Sequence, residues 1–234
     1  MSDNIRAIVF AATLSVVCCI LITAACTGLQ KYQIANVILD RQINIVKSVG
    51  LVEENKKYTK EEINSLYTEK IVRAWTNSAG KIVLTEPEDE KELLELYFLN
   101  ENKELAAIII PLNVRGLWGR IHGYLAINRD GETVEGFTVA SHAETPGLGG
   151  EIESRWFREN FSGKKIFDAN NNIISVSVAK GAAKDSVSEA ELPYFVDGIS
   201  GATLTGNYLS TGIKSTLTEY ETILKKLKST GKIM

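Results

Sequence analysis

Residues 197–205 read Asp-Gly-Ile-Ser-Gly-Ala-Thr-Leu-Thr, a loop of small residues that leads directly into a long helical pattern. Beyond this loop, apolar residues recur at every third or fourth position, which predicts one buried helical face. They are Leu209, Ile213, Leu217, Tyr220, Leu224 and Leu227. We expect Thr203 or Thr205 to cap the helix N-terminus. The free N–H groups and the dipole at such a terminus favour an anion such as phosphate, although ordinary capping explains the same residues.

A second glycine-containing loop runs from Ser141 to Glu151, after a predicted β-strand. Pro146 stiffens it, while its glycines expose backbone N–H groups and allow a flat ligand to approach closely. An organic redox cofactor needs such donors beside an apolar wall, and Leu148 offers part of one. The same loop is also typical of a tight surface connection after a strand.

The two loops resemble segments of the FMN-binding domains in ion-translocating NADH:quinone oxidoreductases and Rnf-type complexes. Ser-Gly-Ala-Thr-Leu-Thr, preceded by Asp197, is similar to their flavinylation motif, whose last Thr carries FMN through a phosphoester bond attached by a separate flavin transferase. The resemblance implies covalent FMN on Thr205, with Thr203 as the alternative acceptor. Residues 144–149, Glu-Thr-Pro-Gly-Leu-Gly, resemble the second flavin-contacting segment of the family. The family resemblance assigns no catalytic or metal-binding residue. The cofactor-binding residues that it implies are Thr205, Ser200, Gly201, Ala202, Thr203, Leu204, Glu144, Thr145, Gly147, Leu148 and Gly149.

Further matches favour the Na+-translocating enzyme, whose NqrC flavoprotein resembles this chain at Gly-Leu-Trp-Gly (116–119) and at Asp-Arg-Gln (40–42). Residues 55–102 show no specific resemblance to this family. The resemblance implies an electron-transfer subunit that relays electrons between redox centres of partner subunits and is not catalytic alone. The equivalent flavoprotein of an Rnf-type complex is the alternative, and a cofactor-free, membrane-tethered binding lipoprotein is a further one.

An uncharged apolar segment from Ala7 to Gln30 predicts a single transmembrane helix, because about 20 residues span a hydrocarbon core of about 30 Å. Thr23-Ala24-Ala25-Cys26 also resembles a lipoprotein box, which would make Cys26 a lipidated first residue. We expect an anchor over 1–30, a juxtamembrane helix over 31–55 and an FMN-binding domain over 56–234. The flanking charges leave the orientation open. The resemblance places the soluble domain on the periplasmic side of a bacterial inner membrane.

Composition excludes several other classes of function. The net charge of −3 and the absence of a basic stripe give no sign of nucleic-acid binding. All three cysteines lie in the apolar segment and the chain has two histidines, so we expect no disulfide, iron–sulfur cluster or His-rich metal site in the soluble part. The sequence has no Gly-x-Gly-x-x-Gly fingerprint, and the span has no charged residue. NADH oxidation and ion translocation are therefore expected in other subunits.

The remaining pattern predicts an α+β domain with an antiparallel sheet and flanking helices. Its expected elements are a capping box at 59–62 followed by a short helix, strands at 71–76, 82–84, 105–111 and 173–178, a hairpin over 124–139, and a helix over 154–161. The segment 93–99 is ambiguous between helix and strand, and 87–92 is expected to be exposed. We expect Trp118, Trp156 and Phe157 to pack in the core.

Overall fold

The structure, a computed structural model, describes residues 2–53, 55–87, 93–102 and 104–232. It divides into a helical unit that extends to Asp40 and a second compact unit that begins at Arg41. The second unit combines an antiparallel sheet with flanking helices, as the α+β prediction requires. The boundaries expected after residues 30 and 55 stay predictions.

The first helix, α1, runs from Asp3 to Ser48. By length and composition it is apolar enough to cross a membrane, and its apolar residues up to Val37 are exposed. Its last turns, in contrast, belong to the compact unit, where Ile45 and Val46 are fully buried. The helix ends at Ser48, two residues before Gly50, which has a φ of +67°.

A six-stranded antiparallel sheet in the order β2-β1-β3-β4-β5-β6 forms the centre of the compact unit. Its strands are β1 (Ile71–Thr76), β2 (Ile82–Val83), β3 (Leu94–Glu101), β4 (Glu104–Arg115), β5 (Arg120–Asn128) and β6 (Val134–Ser141). The predicted hairpin is confirmed, with Gly131 at a φ of +71° in its turn. The ambiguous segment is strand β3, and residues 88–92 of the expected exposed stretch lie outside the described residues.

The described residues of the compact unit also form five α-helices. They are α2 (Lys60–Lys70), α3 (Arg155–Glu159), α4 (Ala183–Ser186), α5 (Thr203–Glu219) and α6 (Glu221–Thr230). The predicted capping box is present at the start of α2, where Thr59 and Glu62 bond each other's backbone N–H groups. A small parallel pair, β7 (Ser177–Val178) and β8 (Phe195–Val196), lies outside the main sheet.

Helices α5 and α6 close the core over the sheet. All six residues of the predicted helical face are buried, which confirms the pattern. The pattern spans two helices, however, because the helix breaks at Tyr220, whose hydroxyl donates to the carbonyl oxygen of Glu95 at 2.5 Å. Helix α5 runs very close to β4: a Cβ added to Gly212 would lie 2.3 Å from the Cβ of Val114.

Several local predictions are wrong. The N-cap residue of α5 is Ala202, which makes no side-chain cap, while Thr203 and Thr205 lie inside the first turn. Of the strand expected at 173–178, only the last two residues pair as a strand, since Ser175 adopts a φ of +73° that interrupts extended backbone.

Two aromatic side chains are also more exposed than predicted. Trp118 is 69% exposed because it lies at the turn between β4 and β5, beyond their last paired residues. Trp156 is 45% exposed on the short helix α3, whereas its neighbour Phe157 is fully buried, as expected.

Candidate functional site

A buried contact joins the two loops that the sequence singled out. The hydroxyl of Thr205 donates to Oε2 of Glu144 at 2.6 Å, although the two residues are 61 positions apart. Thr205 is 2% exposed and Glu144 is 4% exposed. We call these two residues the Glu144–Thr205 pair. The fold therefore brings the end of β6 and the first turn of α5 together at one point.

A third segment, the tip of the β4–β5 hairpin, completes the surroundings of Glu144. The backbone N–H of Trp118 donates to Oε1 of Glu144 at 3.0 Å. Gly116 leaves room for this oxygen, because an added Cβ there would lie 2.5 Å from it. Both carboxylate oxygens thus accept from neutral donors, and none of the described basic side chains forms an ion pair with Glu144.

The loop over residues 142–150, here called the Pro-Gly loop, covers Thr205 closely. A Cβ added to Gly149 would lie 2.6 Å from Oγ1 of Thr205 and 2.8 Å from Oε2 of Glu144. A Cβ added to Gly201 would lie 2.8 Å from a methyl group of Leu148. Only glycine leaves enough space for the two loops to approach each other at these positions.

Internal hydrogen bonds fix the path of the Pro-Gly loop. The N–H of Glu144 donates to Nδ1 of His142 at 3.1 Å, and the carbonyl of Thr145 accepts from Leu148 and Gly150. His142 also lies 3.4 Å from a carboxylate oxygen of Glu153. These contacts hold the side chain of Glu144 at the base of the loop.

The loop that precedes α5 is anchored on its other side. Asp197 accepts from the N–H of Ala183 at 2.7 Å, which ties the loop to α4. The N–H of Gly198 donates to the carbonyl of Gly181 at 2.7 Å. Gly201 then takes a φ of +75°, and the chain enters α5 at Thr203. Asp197 is therefore a loop-fixing residue in this structure.

Four large apolar side chains remain exposed in these segments. They are Leu117, Trp118, Leu148 and Leu204. Two of them follow glycines, and Leu204 precedes Thr205 directly. Single exposed apolar residues are ordinary, but several on converging loops provide apolar surface for a flat ligand or a partner protein.

The structure brings some of the predicted cofactor-binding residues into contact and leaves others exposed. Glu144, Gly149 and Thr205 lie in direct contact, with Leu148 against Gly201 beside them. Ala202 is buried at the helix entry, while the other named residues are exposed: Ser200, Thr203, Leu204, Thr145 and Gly147. Among the described residues, no group of three or more His, Cys, Asp and Glu is arranged to hold a metal.

The sequence alone did not identify the Glu144–Thr205 pair or the Trp118 N–H contact. Gly116 is the sequence feature that relates to them, since a residue without a side chain at a hairpin tip marks a close approach by another segment. It does not identify the approaching residue, because Glu144 lies more than 20 residues further along the chain.

Comparison with known proteins points to the same part of the chain as the site of cofactor binding. Residues 116–218 match the protein family described as FMN-binding domain. Over 83% of its length, and 83% of the relative's, the chain is 34% identical to the C subunit (NqrC) of the Na+-translocating NADH-quinone reductase from Vibrio campbellii. The chain belongs to the NqrC family.

Solved NqrC structures share the fold. The one from Parabacteroides distasonis superposes with a TM-score of 0.71 at 28% identity, covering 84% of this chain and 96% of that one. The fold also matches that of NqrC from Shewanella oneidensis, with a TM-score of 0.66 at 22% identity. The resemblance to the NqrC family seen in the sequence is thereby confirmed, and so is the arrangement of an apolar helix before an antiparallel sheet with flanking helices.

Proposed function

We propose that this member of the NqrC family carries FMN covalently through a phosphoester bond to Thr205 and relays electrons between redox centres of other subunits. The observation that carries the proposal is the Glu144–Thr205 pair. It places the hydroxyl of the proposed acceptor against the second loop that resembles a flavin-contacting segment. Thr203, the alternative acceptor, is exposed two residues earlier.

The N-terminal end of α5, where Thr205 lies, is suited to binding a phosphate. The first turn of an α-helix leaves its N–H groups without acceptors inside the helix, and its dipole favours negative charge. Because Ala202 is the N-cap residue and provides no side-chain acceptor, the N–H groups of Thr203, Leu204 and Thr205 are available to hold phosphate oxygens. Gly201 also lets the backbone approach an anion closely.

The rest of the site suits a flat redox group. When bound, FMN supplies one- and two-electron chemistry that protein side chains lack. The exposed side chains of Leu148, Trp118, Leu204 and Leu117 offer apolar surface to its ring, and the exposed residues Thr145 and Gly147 of the Pro-Gly loop have backbone N–H groups suited to hydrogen bonds with it. A site at the surface of the domain also keeps the distance to a partner's redox centre short.

The amino-terminal helix supports a division of labour within the complex. We propose that α1 crosses the bacterial inner membrane once, through Ala7–Gln30, with the soluble domain on the periplasmic side. This segment contains no Asp, Glu, Lys, Arg or His, the residues that relay ions within membranes. Ion translocation and NADH oxidation are then tasks of other subunits. A flavin transferase is required as a partner during maturation.

A denaturing gel viewed under ultraviolet light tests the proposal. Native membranes that contain the full chain are compared with Thr205→Ala and Thr203→Ala variants. We expect flavin fluorescence at the mass of the chain in the wild type and in Thr203→Ala, and none in Thr205→Ala. A dark wild-type band in a host that has the transferase would contradict the proposal and favour a cofactor-free tethered module.

A further inference from the structure

The carboxylate of Glu144 conflicts with a simple view of Thr205 as a passive attachment point. A phosphoester oxygen has no proton to donate, so attachment removes the hydrogen bond of 2.6 Å that Oε2 of Glu144 accepts from Thr205. A phosphodiester also adds negative charge beside a buried carboxylate, which is costly when the carboxylate stays ionised. Attachment therefore leaves the carboxylate of Glu144 without its donor and next to a new negative charge, unless Glu144 itself takes up a proton.

We propose that Glu144 is the base that accepts the proton of the Thr205 hydroxyl during flavin attachment. This inference rests on the proposed function, since it concerns the step that places FMN on Thr205. The distance of 2.6 Å lies at the short end of the range for proton transfer between oxygens. Unlike Thr205, exposed Thr203 forms no such contact with a described carboxylate.

The step balances as a phosphoryl transfer from a flavin dinucleotide, the donor supplied with the transferase. Oγ1 of Thr205 forms a bond to the phosphorus on the flavin side of the donor. The bond between this phosphorus and the bridging oxygen of the diphosphate breaks, and a nucleoside monophosphate leaves with that oxygen. The proton of Oγ1 passes to Oε2 of Glu144, and no atom changes its oxidation state.

The transferred proton also removes the electrostatic conflict in the product. A neutral Glu144 is a hydrogen-bond donor, so it can donate to the ester oxygen or to a phosphate oxygen. The direction of the original hydrogen bond is thereby reversed. Meanwhile Oε1 retains the N–H of Trp118 as its donor, which keeps the carboxyl group in place before and after the step.

The burial of Oγ1 adds a requirement for movement. Gly149 lies so close that an added Cβ would reach 2.6 Å from Oγ1, and Leu148 lies against Gly201. A donor phosphorus cannot reach the hydroxyl past these atoms in the present conformation. The Pro-Gly loop must therefore shift at Leu148–Gly150 during attachment, whereas Glu144 at its base stays bonded to Trp118.

The test measures the initial rate of flavin attachment to the full chain, with purified transferase and FAD, by in-gel fluorescence and by the mass of the intact chain. Glu144→Gln has the same shape and can still hydrogen-bond to Trp118 and Thr205, but its amide cannot accept a proton. We expect its rate to fall by about 100-fold or more, the usual contribution of a general base. Glu144→Asp keeps a carboxylate but places it further from the hydroxyl of Thr205. Its attachment rate should lie between that of Glu144→Gln and that of the wild type.

Glu135→Gln, the same substitution on strand β6, is the matched control and should react like the wild type. Thermal unfolding of the unmodified chains checks that each variant is folded. If Glu144→Gln does not fold, Glu144→Asp against Glu144→Asn gives the same contrast with a shorter side chain. An amide variant that reacts as fast as its carboxylate counterpart overturns the role of Glu144, while attachment to Thr205 stands. A wild-type chain that takes up no flavin overturns the proposed function itself.

Discussion

Two glutamates of the sheet domain, Glu95 and Glu144, are held in opposite ways. Oε1 of Glu95 accepts from the guanidinium of Arg73 at 2.5 Å and from the hydroxyl of Tyr97 at 2.7 Å. Glu144 is more deeply buried, yet its donors are a hydroxyl and a backbone N–H. The charge of Glu95 is paired with a cation, whereas among the described residues Glu144 accepts hydrogen bonds only from neutral groups.

The difference separates a structural carboxylate from a reactive one. The Glu95 cluster, consisting of Arg73, Glu95 and Tyr97, holds its carboxylate in an ion pair, and burial and the Glu95 hydrogen bond raise the pKa of Tyr97. Stacking of Arg73 on Trp75, at 4.7 Å from the ring centre, stiffens it further. Among the described residues, no cation pairs with Glu144 in this way, and its contacts are the hydroxyl of Thr205 and the N–H of Trp118.

After Glu144→Gln, the largest effect is expected at Gly149, which packs directly against the Glu144–Thr205 pair. Gly149→Ala would place a methyl group 2.6 Å from Oγ1 of Thr205, so we expect flavin attachment to slow by about tenfold or more. Overpacking should also lower the free energy of unfolding by about 1–3 kcal/mol. In-gel fluorescence and urea unfolding measure the two effects.

Gly147→Ala, in the same loop, is the control for this prediction. An added Cβ at Gly147 meets no described atom within 4 Å, and only its φ of +74° disfavours alanine. Its attachment rate should stay near that of wild type, with a stability loss of about 1 kcal/mol. Equal attachment rates for the two variants would contradict the close approach at Gly149.

The second prediction concerns the Glu95 cluster. Glu95→Gln weakens a charge-assisted hydrogen bond and leaves Arg73 with less compensation, so we expect a loss of about 2 kcal/mol in the free energy of unfolding. Flavin attachment should not change. Glu86→Gln removes the other, exposed partner of Arg73 and should cost less than about 1 kcal/mol. Slower attachment in Glu95→Gln would show that the two regions are coupled.

A smaller effect is expected for the neutral member of the cluster. Tyr97→Phe removes the hydroxyl that donates to Glu95 and keeps the ring, which packs edge-on against Tyr124 at 6.2 Å. We expect a loss of about 1 kcal/mol, measured by urea unfolding. The double variant with Glu95→Gln should lose less than the sum of the single variants, because both act on one contact.

The smallest effect concerns a third carboxylate, that of half-buried Glu132. Hydrogen bonds from Lys165 and then Lys228 lower its pKa below the ordinary value. A lowered pKa in the folded state adds stability above the unfolded pKa of about 4.3, and this stability is lost as the pH falls through the folded pKa. Glu132→Gln should therefore flatten the fall in melting temperature on the acid side. An unchanged acid profile would contradict this.

The sequence predicted those parts of the fold that depend on local patterns. The face from Leu209 to Leu227, the capping box at Thr59 and the hairpin turn at Gly131 each follow from residues a few positions apart. The break at Tyr220 was not predictable, because both helices present the same face to the core, and the hydrogen bond that Tyr220 makes at the break goes to distant Glu95.

The candidate site was predictable only as two separate loops. Thr205 resembles a helix cap in sequence, but its hydroxyl bonds Glu144 instead, since the fold brings a carboxylate to it from 61 residues away. A tryptophan such as Trp118 is usually buried, yet this one is exposed because it lies at the tip of the β4–β5 hairpin. Long-range contacts of this kind leave no periodic signal in the chain.

The closure of the core by α5 and α6 has a consequence for biosynthesis. The sheet is complete in the chain by Ser141, but the helices that cover it follow more than 60 residues later, and Tyr220 reaches back 125 residues to Glu95. A nascent chain must therefore hold an uncovered apolar sheet face until α5 and α6 are synthesised. Because Thr205 lies on the covering helix and its partner Glu144 follows the sheet, the acceptor forms only when the domain has closed. Under the proposed attachment, the flavin marks chains that have completed folding.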